Sequence, residues 1–528
     1  MHPTKDIGTQ PRLDLFLLLL TVLFLYLLLF RLPFYPFFYE ADQLIFLYNA
    51  DRMLDGEKMY RDFFQFTFPG GQVLYFLLFS VFGAKYWVLP FAIILMGFGY
   101  CWFLLRSAKL LIPGYLAYLP ALIFIFFGFR WFGQDGSHRM FSPLLVLIGV
   151  VILLKGKSLW RWAATGACCA MSSYFTQQRG VIAVGAFGIF LLTDSFLSGW
   201  KWKDVISRSG VLCLGFAVTL AVLCSYFIFT AGLDTFINAT LTYPSLYYHY
   251  QPDNSLGGFW VGFRHILATP GIGPILSLLP AGFYGFIIPL IVIVFLAVYF
   301  RDRRKFDHAY WRGPLLMAIV SGVFLISTTN PGHLRYYQIS PTFLILLAWL
   351  LWHLKLFGER AGLFVKAAAV LMIVFSGIQI VRLQTGTAYV RVDTPRGTVY
   401  SSNMESTGRY TWIAERTKPG DLVFEASNPY IYFPFALKNP SGHAQFYQTE
   451  YTRPEFVLEA IEELKTKPPL YILWSNDYNI PDAERVPGDN LGPLAEYVQV
   501  EYEPVGPVYM VDGKPVQVWQ KREQRPEQ

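Results

Sequence analysis

From residue 13 to about residue 382 the chain alternates long apolar stretches with short polar ones, and then the pattern changes. At about 20 residues per bilayer crossing, the apolar stretches predict spans at 13–32, 86–105, 110–129, 141–155, 160–177, 181–198, 208–230, 274–300, 313–329, 337–354 and 363–382. The run "QVLYFLLFSVFG", 72–83, is apolar but short, and it reads either as a further span or as a helix lying in the interface. Beyond Val390 the periods are those of a small α/β domain. "TGRYTWIAERTKPGDLVFEA" predicts an amphipathic helix, a Pro-Gly-Asp turn and a strand, and "RPEFVLEAIEELKTKPPLYILW" repeats that order. Residues 497–504 and 515–520 alternate like closing strands. The expected organisation is a membrane domain over 1–385, with interfacial helices in an outer loop at 33–85, followed by an α/β domain over 386–528.

Composition supports a polytopic membrane protein. Of 528 residues, 54% are hydrophobic and 15% charged, where a soluble protein carries about a quarter charged. The net charge of +7 does not point to nucleic acid, because the basic residues sit in short loops and read as topology signals. With 72–83 not crossing and the N-terminus cytoplasmic, the basic loops all share the cytoplasmic side. They contain Arg106 and Lys109; Lys155, Lys157 and Arg161; Lys201, Lys203 and Arg208; "RDRRKFDHAYWR" at 301–312; and Lys355 with Arg360. A crossing at 72–83 would put every one of them outside. The favoured topology has about eleven spans. It places the 33–85, 130–140 and 231–273 loops and the α/β domain on the outer side, the periplasm if the membrane is a bacterial inner membrane. The first apolar run, followed by Pro33 and aromatics with no small-residue cleavage site, reads as a retained span. The five cysteines all lie in apolar segments, which argues against a disulfide framework, and no CxxC suggests a metal.

On this topology the outer face is acidic and aromatic. "FFYEADQLIFLYNADRML", 37–54, puts Glu40 and Asp42 just beyond the first span, and Asp51, Asp55, Asp62 and Asp135 share that side. The order is a first span, an acidic outer loop, "LDGEKMYRDF", a Pro-Gly element, a short apolar helix, "FG", and then basic-capped spans. It resembles the GT-C membrane glycosyltransferases that use polyprenyl-phosphate sugars. It is similar to the bacterial lipid A aminoarabinose transferases and, more distantly, to the protein O-mannosyltransferases. The resemblance covers most of the chain and rests on order and spacing more than on any one string. It implies a GT-C-like fold, a polyprenyl-phosphate sugar donor, and an Asp in the first outer loop that serves as the catalytic base or helps form it. Counted back from "RML", that Asp falls on Asp42; the second acid of the family's pair falls on Gln43, a departure that leaves Glu40 as the substitute. The resemblance also implies basic and Tyr side chains on the lipid phosphate. Arg179 in "TQQRG" matches one position, and "GHLRYYQISP" offers His333 or Arg335, and Tyr336 or Tyr337, for the others.

The chemistry agrees with these residue types. An acceptor hydroxyl that attacks an anomeric carbon must lose its proton, which suits a carboxylate. The phosphate leaving group calls for positive side chains. No nucleotide is needed, and no DxD motif occurs. Each candidate also has a plainer reading. Asp42 is placed to cap the helix at 43–54. Asp62 is placed to pair with Arg61 as readily as to bind substrate, and Asp135 in "GQDGSHRMFSP" suits a turn as well as a site. Arg179 suits a snorkelling role, and the tyrosines an interfacial belt. His138 and His249 are lone outer-loop histidines without zinc spacing, and a divalent cation at Glu40–Asp42 is a minor alternative. The Tyr-rich "TYPSLYYHYQPDN", 242–254, suits stacking on a sugar or a membrane belt. The α/β domain holds no GxGxxG, P-loop or GxSxG, and is expected to position or recognise a substrate. The predicted function is inverting transfer of a sugar to a glycan, lipid or protein hydroxyl at the outer face. The alternatives are a surface-polysaccharide polymerase or ligase, or a lipid-linked sugar transporter or flippase.

Overall fold

The computed structural model describes residues 10–248, 264, 267–268, 272–328, 331–386, 389–402, 404–426, 428–511 and 514–522. Among them, nine helices are long and apolar enough to cross a membrane: Pro11–Leu29, Val88–Lys109, Gly114–Phe132, Gln177–Leu197, Trp202–Ala231, Leu276–Asp302, His308–Ile326, His333–His353 and Gly358–Thr385. The other two predicted spans are the 17-residue helices His138–Leu154 and Leu159–Phe175. The chain is a multi-pass membrane protein. "QVLYFLLFSVF" lies in the 13-residue helix Gly70–Phe82, and the glycine that follows caps it. At a rise of about 1.5 Å per residue that is ~20 Å, short of the ~30 Å a crossing needs. Its Pro-Gly start is a packing requirement, since a Cβ on Gly70 would come within 2.5 Å of the Tyr174 carbonyl oxygen.

Charges at the end of the bundle where the first helix begins are paired between helices. Lys109 meets Asp14, and Asp194, 1% exposed at its side chain, meets Lys157, His308 and Arg312. Asp302 gathers Arg301, Lys305 and His353. A carboxylate so enclosed is tolerated because it is paired, and the clusters tie neighbouring helices together at that end.

The α/β region carries two four-stranded sheets. The first is assembled across the chain: Tyr35–Phe38, from the loop after the first span, pairs in parallel with Gly397–Ser401, joining Phe37 to Tyr400. Phe30–Arg31 and Val390–Thr394 complete it. The second runs Val423–Glu425, Tyr471–Ser475, Lys514–Lys521 and Tyr502–Val511. Helices Met404–Arg416 and Pro454–Thr466 fall where the amphipathic patterns place them. One expectation is corrected: residues 497–501 end the helix Gly492–Glu501, and the strand begins only at Tyr502. Burial of Leu494, Ala495 and Val498 follows a helical period and outweighs the short alternation around Val498 and Val500.

Two carboxylates and a lysine-bearing loop fasten the loop after the first span to this region. Asp51 pairs with Arg396 at 2.5 Å and Asp55 with Lys438 at 3.0 Å. The Tyr48 hydroxyl accepts from the Asn439 amide at 2.7 Å, and the Phe64 amide donates to the Gly442 carbonyl at 3.0 Å. Phe79 stacks on Phe433 with ring centroids 5.2 Å apart.

Candidate functional site

The site is assembled at the start of the helix Gln43–Leu54. Asp42 occupies the position before that helix, yet its side chain makes no capping bond. Its Oδ2 lies 2.7 Å from Arg139 Nη1 instead. Neighbouring residues hold the two partners in register. The Gln43 Oε1 accepts from the Gly136 amide at 2.9 Å, and Gln43 Nε2 donates to the Tyr39 carbonyl at 3.3 Å. Gly136 has to be small there, because a Cβ would lie 2.4 Å from Leu89 and 2.7 Å from the Tyr75 hydroxyl. Asp135 Oδ1 then accepts from the Ser137 amide at 2.7 Å, and Ser137 Oγ accepts from the Arg139 amide at 3.4 Å, which starts the helix His138–Leu154. Asp135 thus closes a turn beside the site.

Arg179 lies in the first turn of Gln177–Leu197. Its guanidinium donates to the Arg139 carbonyl and to Gln338 Oε1. The next residue but one toward the N-terminus, Gln177, anchors that turn by donating to the carbonyls of Phe66 at 2.7 Å and Thr240 at 3.3 Å. Arg335 lies in the first turn of His333–His353. Asp42, Arg139, Arg179 and Arg335 line one cavity of about 270 Å³. Ile182, Phe324 and Ile339 form an apolar part of its wall, while Gln445 and Tyr451 reach it from the α/β region. Among the described residues neither Arg179 nor Arg335 forms an ion pair with a carboxylate. A guanidinium at the rim of a membrane domain is costly unless something negative meets it, so this cavity is suited to an anion.

The remaining sequence candidates lie elsewhere. Glu40 is two residues from Asp42 but faces the α/β region, where its carboxylate pairs with Arg409 at 2.7 Å. Arg409 in turn pairs with Glu425 at 2.6 Å, and both side chains are fully buried. Asp62 accepts from the Lys58 amide at 2.7 Å and pairs with Arg61, whose guanidinium holds its carboxyl below the usual range. His333 packs on Phe132 with centroids 5.2 Å apart. Tyr337 is buried, stacks on Phe124 at 4.6 Å and donates to the Phe124 carbonyl at 3.2 Å. Tyr336 is half-buried and does not line the cavity. Of the alternatives in "HLRYYQ", Arg335 alone reaches it; the tyrosines on its wall are Tyr248 and Tyr451. His138 is on the wall and packs on Phe46 at 5.1 Å, while His249 and residues 250–254 lie outside the described residues.

Glu40 and Asp42 turn to different partners, and among the described residues no group of three or more His, Cys, Asp or Glu side chains is placed to hold a metal ion. Sequence reasoning passed over Arg139, which sits four residues after Asp135 in the same polar string. It also passed over Gln65, Gln445 and Tyr451, whose place on the wall depends on how the α/β region docks.

No family model matches the sequence, and no curated protein matches it. Solved structures do. The fold is similar to that of ArnT from Cupriavidus metallidurans bound to undecaprenyl phosphate. There the TM-score is 0.59 and the identity 13%, over 98% of this chain and 100% of that one. It is also similar to the oligosaccharyltransferase AglB from Archaeoglobus fulgidus in complex with an inhibitory peptide and a dolichol-phosphate. Here the TM-score is 0.51 and the identity 11%, over 98% of this chain and 75% of that one. The architecture is the GT-C fold.

Proposed function

We propose, taking the GT-C fold as premise, that this protein transfers a sugar from a polyprenyl-phosphate donor to an acceptor hydroxyl, with inversion, at the face that bears the cavity. One observation carries the reading: Asp42 shares a cavity with two arginines that have no carboxylate partner among the described residues. Arg179 and Arg335 receive the donor phosphate, and the apolar wall of Ile182, Phe324 and Ile339 faces the start of the lipid chain. Asp42 Oδ2 is occupied by Arg139, which leaves Oδ1 for the acceptor hydroxyl. The hydroxyl gives its proton to Asp42 as its oxygen bonds to the anomeric carbon. The bond from that carbon to the phosphate oxygen breaks on the opposite face, and the polyprenyl phosphate leaves with the negative charge held by the two arginines. The acceptor is a glycan, lipid or protein hydroxyl. The membrane delivers the donor by its tail, which fits a site at the ends of the spans.

The same reading places the N-terminus in the cytoplasm and the α/β region in the periplasm of a bacterial inner membrane, supported by the basic residues gathered at the opposite end of the helices. The direct test supplies the purified full chain in proteoliposomes with a panel of polyprenyl-phosphate sugars. Consumption of one with release of polyprenyl phosphate is the expected result, and turnover of none overturns the proposal. For orientation, a cysteine at the exposed position 61 (Arg61→Cys) should react with an impermeant reagent added from the periplasmic side; labelling from the cytosol alone would reverse the topology.

A further inference from the structure

The cavity does not end at the arginines. A recess of about 30 Å³ adjoins it, between the helix Gln43–Leu54, residues 64–66 and the α/β loop around His443. Ile45, Gln65, Phe66, Gln445 and Tyr451 line both spaces; Asp42, Arg139, Arg179 and Arg335 line only the first. The recess is electrically neutral. Its two basic side chains are already engaged, Arg52 with Glu57 at 2.5 Å and His443 with Glu459 at 2.8 Å.

Its polar groups are amides with unspent capacity. Asn49 is 3% exposed, and its side chain makes no hydrogen bond among the described residues. Gln65 is 7% exposed; its Oε1 accepts from the Phe66 and Thr67 amides at 2.9 and 3.3 Å, and its Nε2 is unspent. Both residues are almost wholly enclosed, yet their uncommitted amide atoms are not sealed off, so a hydroxyl entering the recess meets two amides with hydrogen-bonding capacity to spare. Around them stand aromatic rings, with Phe64 against Tyr243 at 4.9 Å and Tyr243 against Tyr451 at 5.7 Å.

We infer that this recess seats a pendant hydroxyl-bearing group of a neutral sugar ring on the acceptor, so that the acceptor is a glycan. The volume fits about two water-sized groups, which is the size of one hydroxymethyl. Amides supply both donors and acceptors for hydroxyls, and aromatic faces suit the apolar C–H face of a pyranose. A phosphate or carboxylate on the acceptor would need a free cation here, and a lipid chain would leave the amides unsatisfied. The position also fits: in-line displacement puts the acceptor on the side of the anomeric carbon away from the phosphate arginines. Because Gln445, Tyr451 and His443 come from the α/β region, that region chooses the acceptor. The inference rests on the transferase reading above.

The test measures binding to the full chain in nanodiscs. One probe is undecaprenyl phosphate. The second set comprises neutral methyl glycosides and oligosaccharides, their uronic-acid and phosphorylated counterparts, and a hydroxyl-bearing peptide, all read by saturation-transfer NMR. Wild type is expected to bind a neutral saccharide. Asn49→Leu should weaken it about tenfold and leave undecaprenyl phosphate binding unchanged. Gln65→Glu keeps both backbone bonds while losing the Nε2 donor, so it should fold and still bind the saccharide more weakly. Arg179→Ala should show the converse, losing undecaprenyl phosphate and keeping the saccharide. Preference for a phosphorylated or acidic glycan or for the peptide overturns the inference, and so does undecaprenyl phosphate binding with no saccharide binding. Failure of wild type to bind undecaprenyl phosphate overturns the donor reading itself, and the inference with it.

Discussion

The Asp42 carboxylate and the Arg139 guanidinium meet at 2.7 Å on the wall of a cavity that also holds Arg179 and Arg335. The Arg139 carbonyl accepts from Arg179, so the acid, its partner and one of the cavity's other two arginines are mechanically one unit. Asp42→Asn keeps the shape and removes the proposed base. Sugar transfer should fall by about 10²- to 10⁴-fold, with folding and undecaprenyl phosphate binding retained. Single-turnover assays in proteoliposomes measure this, and retained turnover removes Asp42 from the role.

Arg139→Lys keeps a positive charge but loses the fork that orients Oδ2 and leaves Oδ1 free. A charge-assisted bond is worth about 1.5–3 kcal/mol, or roughly 10- to 150-fold in kcat/KM at 1.36 kcal/mol per decade. The loss should appear mainly in kcat, because in the proposed mechanism Asp42 acts on the reacting hydroxyl. A change confined to the KM for the donor would instead put Arg139 on the phosphate.

On the proposed mechanism, Arg179→Ala and Arg335→Ala each remove one cation from the same anion. Undecaprenyl phosphate affinity should fall about tenfold or more in either variant. The double variant should lose less than the sum of the two, since residues that share one partner do not act independently. Quantitative binding in nanodiscs gives the cycle. Strict additivity would place the two arginines on different groups.

Long apolar runs made the spans legible, because a helix in lipid must satisfy its own backbone and so announces itself in composition. Helix and strand in the α/β region were legible from their periods, except around Val498, where four residues of alternation do not distinguish the two. The site was legible only in part. Asp42 and Arg179 stand out as polar residues beside apolar runs, but Arg139 is paired by packing across the bundle, and nothing local in "GSHRMF" announces it. The division between Glu40 and Asp42 was hidden for the same reason. The partner of Glu40, Arg409, lies 369 residues away, so which acid faces the cavity depends on where the α/β region docks. Gln43, which stands where the resemblance leads one to expect a second acid, proved to be a structural bridge to Gly136.

That docking contains its own titratable element. Glu40 and Glu425 share the single guanidinium of Arg409. Burial pushes the Glu425 carboxyl up to about 7; the Arg409 guanidinium opposes the rise and the Glu40 carboxylate adds to it. One cation compensates one carboxylate, and the more deeply buried acid therefore holds its proton more tightly. A group whose folded pKa is raised binds a proton that the unfolded chain releases between its ordinary value near 4.5 and about 7. Stability from this group is therefore present at the low end of that window, declines as pH rises through it, and is flat above. Thermal unfolding of the full chain in detergent should show this decline. Glu425→Gln, which holds the neutral form at every pH, should flatten it. Glu40→Gln removes the repelling charge and should move the decline to lower pH, because Arg409 then serves Glu425 alone. An unfolding profile with the same slope in wild type and Glu425→Gln would show that Glu425 stays ionised beside Arg409 and that the two carboxylates are held by other means.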